Sequence, residues 1–241
     1  MRQTSQNLAM TPQLGTRVAI AILAGHHLVQ NRLLNERGYV TGNLVVSGAL
    51  VALGRASGLG WKEMGLHPDG LRSGLRIGTW AVAGSAAGAL IAHIHPGARA
   101  LLHDERARPA KTRSPWKRAL VRFPLGTALF EEVAFRGVLT ALLRRSRPAR
   151  TAELASAGLF ALWHLIPTAR ALSGNPVGRE LPPARRALAI VGGSVGAGGF
   201  GLAFSAMRDA GGSLLAPWLA HSGVNTFSYL AGVAAWRRRA G

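Results

Sequence analysis

Phe130-Glu131-Glu132-Val133-Ala134-Phe135-Arg136-Gly137 lies inside an otherwise apolar stretch, Phe123–Leu143. About 20 apolar residues in a helix match the thickness of a bilayer's hydrocarbon core, so this stretch has the length of a membrane span. Three ionisable groups within six residues set it apart, because each central charge costs about 2.5–3.5 kcal/mol on insertion scales. A lipid-facing helix would exclude them. The stretch is therefore expected inside a helical bundle, lining polar space. The fold class expected is all-α, a polytopic transmembrane helix bundle with an intramembrane polar cavity.

Six further stretches have the same length and character: Thr16–Leu34, Thr41–Leu59, Leu75–His95, Thr151–Leu172, Ala187–Met207 and Gly212–Trp236. That makes seven to eight spans, with room for one more short segment. The first, fourth and fifth carry polar residues and are expected inside the bundle. Lys and Arg outnumber Asp and Glu by 29 to 10, a balance that in a soluble protein would suggest nucleic acid as partner. Here the cations cluster in short runs, Arg144-Arg145, Arg185-Arg186 and Arg237-Arg238-Arg239, between Ala-, Leu-, Val- and Gly-rich stretches. That is the pattern of cationic loops against anionic headgroups, so membrane lipid and not nucleic acid is the expected partner. With no cysteine, disulfides and thiolate metal sites are excluded.

Residues 1–13 are polar, and no small-residue cleavage site follows the first apolar stretch, which is expected to be a retained span. Trp61 to Leu66 has the aromatic-plus-Lys character of an interfacial segment. Gly97–Arg122 is expected to be an exposed basic loop, and Ser173–Pro183, rich in Gly and Pro, an irregular one. Gly84/Gly88 and Gly192/Gly196 have the small-xxx-small spacing of closely packed helices. No repeat or long linker divides the chain, which is expected to be one membrane domain over 1–241, with N-terminal spans and a basic loop over 1–122. Seven spans and the distribution of Lys and Arg place the C-terminus in the cytoplasm.

The polar residues within the spans form a coherent set. Glu132 and Arg136 stand four apart on one helical face and can pair, whereas Glu131 points about 100° away. Phe160-Ala161-Leu162-Trp163-His164 brings a histidine into the fifth span, and His221-Ser222-Gly223-Val224-Asn225 puts a histidine and an asparagine on one face of the seventh. Alone, each suits a hydrogen-bonded structural role. Three spans with such groups are best satisfied by converging on one wet cavity. There Glu131 and His164 could hold and deprotonate a water, and His221 and Asn225 could donate to an oxyanion. Glu132, paired with Arg136, would orient Glu131. A divalent metal such as zinc on Glu131, His164 and His221 is drawable as well as a metal-free general base, though no HExxH signature is present. His26, His27, Asn43, His93 and His95 are read as interfacial or packing groups.

Glu131-Glu132-Val-Ala-Phe-Arg136, Phe160-Ala-Leu-Trp-His164 and His221-Ser-Gly-Val-Asn225 resemble the EExxxR, FxxxH and HxxxN motifs of the CPBP family. This family comprises CAAX prenyl proteases and bacteriocin-processing enzymes, also called Abi proteins. The resemblance covers roughly Phe123–Tyr229. It implies an intramembrane endopeptidase, labelled a metalloendopeptidase in many members, with Glu131 and His164 activating water and His221 and Asn225 supporting the oxyanion. Glu132, Arg136 and Phe160 complete the motif set. A membrane-associated peptide or protein is the implied substrate. The Arg/Ala/Gly-rich composition resembles that of high-GC bacteria, and so a plasma-membrane location is expected. The alternatives are a non-catalytic scaffold or immunity-type protein of the same fold, and a proton-coupled transporter, which would require repeat symmetry that is not visible.

Overall fold

Thr11 opens the first helix. Its side chain accepts the Leu14 N–H, and Pro12 occupies the first helical position, where a missing N–H costs nothing. The computed structural model describes residues 10–108 and 114–240. The polar residues Met1–Ala9 and the middle of the basic loop, 109–113, lie outside them. Among the described residues all regular structure is helical. Helices α1 (Pro12–Arg32) and α2 (Glu36–Ala56) are followed by α3 (Leu71–Ile94) and the short α4 (Pro96–Leu101). A continuous rod then runs from α5 (Pro115–Lys117) through α6 (Leu129–Glu131) to α7 (Thr140–Arg144), its helices joined by wider π-helical turns at Arg118–Ala128 and Glu132–Leu139. Beyond it come α8 (Ala149–Trp163), α9 (Leu165–Gly174), α10 (Pro176–Glu180), α11 (Pro183–Gly211) and α12 (Leu215–Ala240).

Each of the seven apolar stretches coincides with a helical segment. Three of these are long and apolar enough to cross a membrane: 38–56, 68–94 and 183–211. Trp80, Leu90, Ile91, Leu188, Val195 and Phe200 on α3 and α11 are exposed. So much apolar surface is abnormal in water and ordinary against lipid tails. The rod is the opposite case, with residues Phe130 to Leu143 buried throughout.

In the π turns the backbone bonds run five residues back, from Leu129 N–H to the Pro124 carbonyl and from Thr140 N–H to that of Phe135, and carbonyls there have room for a second donor, each oxygen having two lone pairs. Neighbouring side chains supply donors. Asn43 Nδ2 donates to the Gly126 carbonyl (2.5 Å), Trp218 Nε1 to Pro124 (2.8 Å) and Thr226 Oγ1 to Ala119 (2.8 Å). Thr140 and Ser156 hydroxyls both donate to Phe135 (2.7 and 3.3 Å). Asn43 is fully buried, and its Oδ1 lies 2.6 Å from His26 Nε2. These two residues are the packing groups they were read as, and they stitch α1 and α2 to the rod.

Four expectations need correcting. The basic loop is largely ordered, with helical turns at 96–101, 105–107 and 115–122. It packs on α12, where Trp236 Nε1 donates to the Asp104 carbonyl (2.9 Å) and Ala107 is buried. Residues 173–183 are also mainly helical, broken at Asn175 and Leu181–Pro182. The fifth stretch is two helices, interrupted at His164. Finally, a Cβ on Gly84, Gly88, Gly192 or Gly196 would meet nothing within 4 Å, so close helix approach occurs elsewhere. It is made at Gly70, where a Cβ would fall 2.4 Å from the carbonyl oxygen of Gly212, itself at φ +63° in the turn that ends α11.

Charged groups gather at the two ends of the bundle. At one end Arg145 grips Glu63 (2.6 and 2.7 Å), and Arg144 pairs with Glu153 (2.7 Å) and Asp209. At the other, Arg118 and Arg122 meet Glu36, and Arg170 donates to Asn31 (2.6 Å). The apolar core built on Leu50, Phe130, Phe135, Leu142, Phe160 and Trp163 lies between them.

Candidate active site

Glu132 is fully buried, and one of its oxygens, Oε1, receives both Arg136 Nη1 (3.0 Å) and His221 Nδ1 (2.8 Å). The i, i+4 pair foreseen from spacing forms, and α12 adds a second donor. Arg136 lies between aromatic faces, its Cζ 4.0 Å from the centre of Phe160 and 5.3 Å from that of Phe204. Cation–π contact of this kind stabilises a desolvated guanidinium by about 2 kcal/mol. The space is tight: a Cβ on Gly201 would stand 3.0 Å from Arg136 Nη2 and 3.3 Å from the Phe160 ring.

Glu131 is also buried and faces another way. Trp163 Nε1 donates to its Oε1 (3.1 Å). Its Oε2 has no hydrogen-bond partner among the described residues and lies 3.9 Å from His164 Nε2 and 3.7 Å from His221 Nε2. The partners of the other ring nitrogens set both tautomers. His164 Nδ1 is 2.9 Å from the Phe160 carbonyl, which can only accept, so Nδ1 carries the proton. His221 Nδ1 faces the Arg136-paired carboxylate of Glu132, which also only accepts. In their neutral forms both rings therefore present an Nε2 lone pair to a carboxylate oxygen that is itself an acceptor. Three acceptors converge with no protein donor between them.

The break in the fifth stretch positions His164. As the last residue of α8 it leaves the regular ladder and turns its ring back against Phe160 (centroids 4.3 Å apart). His221 stacks on Phe204 (5.1 Å, 22°). Thus Glu131, Glu132, Arg136, Phe160, His164 and His221 meet. Asn225 stands one turn further along α12, about 6 Å by helical rise, half-buried in the wall of a separate cavity of about 410 Å³. Sequence spacing did not single out Trp163 or Phe204. For Trp163 a signal existed, since a buried indole N–H needs an acceptor.

A carboxylate and two imidazoles are ligand types that zinc accepts, and Glu131, His164 and His221 are the residues that would hold it. Among the described residues, however, no group of three His, Asp or Glu side chains is disposed to hold a metal ion. The Nε2 atoms stand 3.7 and 3.9 Å from the Glu131 oxygen, a little more than the roughly 3.3–3.6 Å between ligands of a tetrahedral ion held at about 2.0–2.2 Å. The side chains as they stand form no such ligand group among the described residues, and no step is derived through a metal.

No curated protein and no solved structure gives a significant match to the chain. The family model described as type II CAAX prenyl endopeptidase Rce1-like matches residues 114–227, from the start of α5 to the middle of α12. That segment contains all three sequence motifs and both imidazoles that face Glu131 Oε2. The described helices, the apolar exterior and this match together make the protein a helical, multi-pass membrane protein whose residues 114–227 match the model of the Rce1-like CAAX prenyl endopeptidases.

Proposed function

We propose that the protein is an intramembrane endopeptidase in which Glu131 and His164 activate water and His221 and Asn225 support the oxyanion, acting on a membrane-associated peptide or protein. The observation that carries this is the convergence of Glu131 Oε2 with the Nε2 atoms of His164 and His221. A water at that point would donate one hydrogen to Glu131 and the other to His164, leaving its oxygen lone pairs for a peptide carbonyl carbon. Attack forms the C–O bond as the proton passes to Glu131. The carbonyl oxygen becomes the oxyanion, which His221 would meet from Nε2 in its doubly protonated form, unlike the neutral tautomer described above, with Glu132 compensating the ring's charge from the Nδ1 side. Collapse breaks the C–N bond, and Glu131 returns its proton to the leaving amine. Asn225, a turn away, reaches the oxyanion only with a side-chain rotation or with substrate drawn toward the cavity.

Trp163 acts in this scheme as a positioning residue. By occupying Oε1 it directs Oε2 toward the imidazoles. Residues 1–241 are taken as one membrane domain in a bacterial plasma membrane. The test uses purified protein in detergent and a library of quenched membrane peptides. Wild type is expected to cleave, while Glu131→Ala and His164→Ala are expected to lose about 10²–10⁴-fold in kcat, the usual contribution of a general base. Cleavage surviving both substitutions would refute the assignment. Cleavage abolished by a chelator and restored by added metal would refute the metal-free scheme.

A further inference from the structure

The cavity of about 410 Å³ is within the size range of ligand sites, and the proposed hydrolysis leaves it unexplained. Its lining is of two kinds: the arginines Arg106, Arg118 and Arg122, and the apolar Leu101, Leu102 and Phe123. The charges do not cancel. Arg118 and Arg122 both pair with Glu36, and Arg106 pairs with Asp104 (2.5 Å), so three guanidiniums meet two carboxylates and one positive charge is left over. Glu105 is paired with Arg108 (3.7 Å) and leaves that balance unchanged. The excess is held in place, since Arg118 Nη1 donates to the Arg106 carbonyl (2.9 Å) and the Arg122 guanidinium lies 3.9 Å over the Tyr39 ring. A cation fixed in a partly desolvated wall attracts an anion more strongly than one in open water. Tyr229 also lines the cavity, is 8% exposed, and its hydroxyl has no partner among the described residues. A buried hydroxyl in that state calls for an acceptor.

Position selects the kind of anion. Leu101 in the lining is exposed, as are Trp116, Leu120 and Val121 on the stretch of rod that carries Arg118 and Arg122. Exposed apolar side chains of this kind are at home against lipid tails. Arginine and tryptophan together mark the headgroup level, and here Trp236 Nε1 donates to the Asp104 carbonyl (2.9 Å) while the Arg108 guanidinium lies 5.3 Å from the Trp236 ring. A cationic cavity with an apolar flank at that level suits an amphiphile. We propose that the cavity binds an anionic phospholipid, its phosphodiester received by Arg118 and Arg122 with the Tyr229 hydroxyl as a neutral donor, and its chains leaving over Leu101 and Leu120. A phosphodiester's single negative charge matches the positive charge in excess, and basic pockets between membrane helices hold such headgroups. A soluble phosphate ester has the same charge but no chains to cover the apolar flank. Leu101, Leu102, Asp104 and Arg106 stand outside the residues 114–227 that match the family model, so the site is built in part by the basic loop of this chain.

Native mass spectrometry of the full-length protein in detergent tests this, with phosphatidylglycerol and phosphatidylcholine of identical chains competing at equal concentration. Wild type is expected to retain one phosphatidylglycerol with a preference of about 10–30-fold, the effect of two arginines near a membrane surface. Arg118→Gln and Arg122→Gln are each expected to lower that preference about five-fold. Tyr229→Phe should lower it a few-fold, and Arg122→Lys, which keeps the charge, should retain most of it. Arg150→Gln, in the exposed turn at the opposite end of the bundle, should leave it unchanged. A wild-type ratio near one, arginine variants without effect, or an equal loss in Arg150→Gln would overturn the site. Should a Gln variant not fold, Tyr229→Phe carries the test, and an unchanged preference there overturns the site as well. Displacement of the bound lipid by glycerol 3-phosphate at equal concentration would overturn the lipid assignment, showing that the phosphate alone suffices. The readout involves no cleavage, so the site stands or falls separately from the endopeptidase assignment.

Discussion

Glu132 and Arg136 are 0% and 2% exposed, so removing either leaves the other's charge buried without its counterion. Loss of one partner from a buried pair costs about 3–5 kcal/mol, whereas replacing both by apolar groups of similar volume is nearly neutral. Glu132→Gln and Arg136→Met should therefore each lower stability by about that amount, and Glu132→Met/Arg136→Met by much less than their sum. For a chain of this length 1 kcal/mol moves Tm by about 2–4 °C, so each single substitution should lower Tm by roughly 6–20 °C. The double variant should recover to within a few degrees of wild type. Its tryptophan fluorescence on heating in detergent, with six tryptophans present, reads this directly. Activity separates the pair's two roles. In the double variant His221 Nδ1 has lost its acceptor, so the protein should be stable yet nearly inactive. Single substitutions that cost less than about 1 kcal/mol, or effects that simply add in the double variant, would refute the buried ion pair.

Trp163→Phe keeps the apolar contacts with His27, Phe130 and Phe135 but removes the N–H held by Glu131. The expected result is a kcat about 10–100-fold lower with KM little changed, as for loss of a hydrogen bond to a charged group; a rise in KM alone would show that the indole contacts substrate instead. Gly70→Ala would put a methyl 2.4 Å from the Gly212 carbonyl oxygen and should cost about 1–3 kcal/mol. Gly84→Ala, where nothing stands within 4 Å, should be neutral or slightly stabilising, and thermal unfolding of the two variants side by side tests the packing. The bidentate Arg145 contact lowers the pKa of Glu63, outweighing burial, and the Gly60 N–H and Arg208 add to the effect. Its folded pKa is thus below the unfolded one. Its stabilisation is present above the ordinary carboxylate value and is lost as pH falls through the folded pKa. Glu63 is partly exposed, so the loss should be small, and an acid titration of Tm should show a shallower fall in Glu63→Gln than in wild type.

The sequence alone determined the helical class, the apolar stretches and the residues that had to leave lipid. These follow from a length of about 20 residues and the cost of buried charge, which are local properties of the chain. It also determined the Glu132–Arg136 pair, because i, i+4 neighbours meet in any helix. Tertiary structure decided the rest. Which carboxylate faces the imidazoles depends on π turns, to whose carbonyls Asn43, Trp218 and Thr226 donate from distant segments. Trp163 finds Glu131 across 32 residues, and His221 finds Glu132 across 89. No periodicity within one helix encodes such contacts. The glycines make the same point. Gly84 and Gly88 have the spacing for close approach and open on nothing, whereas at Gly70 and Gly74, with the same spacing, a Cβ would meet the Gly212 carbonyl oxygen at 2.4 Å and the Leu215 side chain at 3.2 Å. Spacing says only which residues share a face; what that face meets is settled when the helices pack.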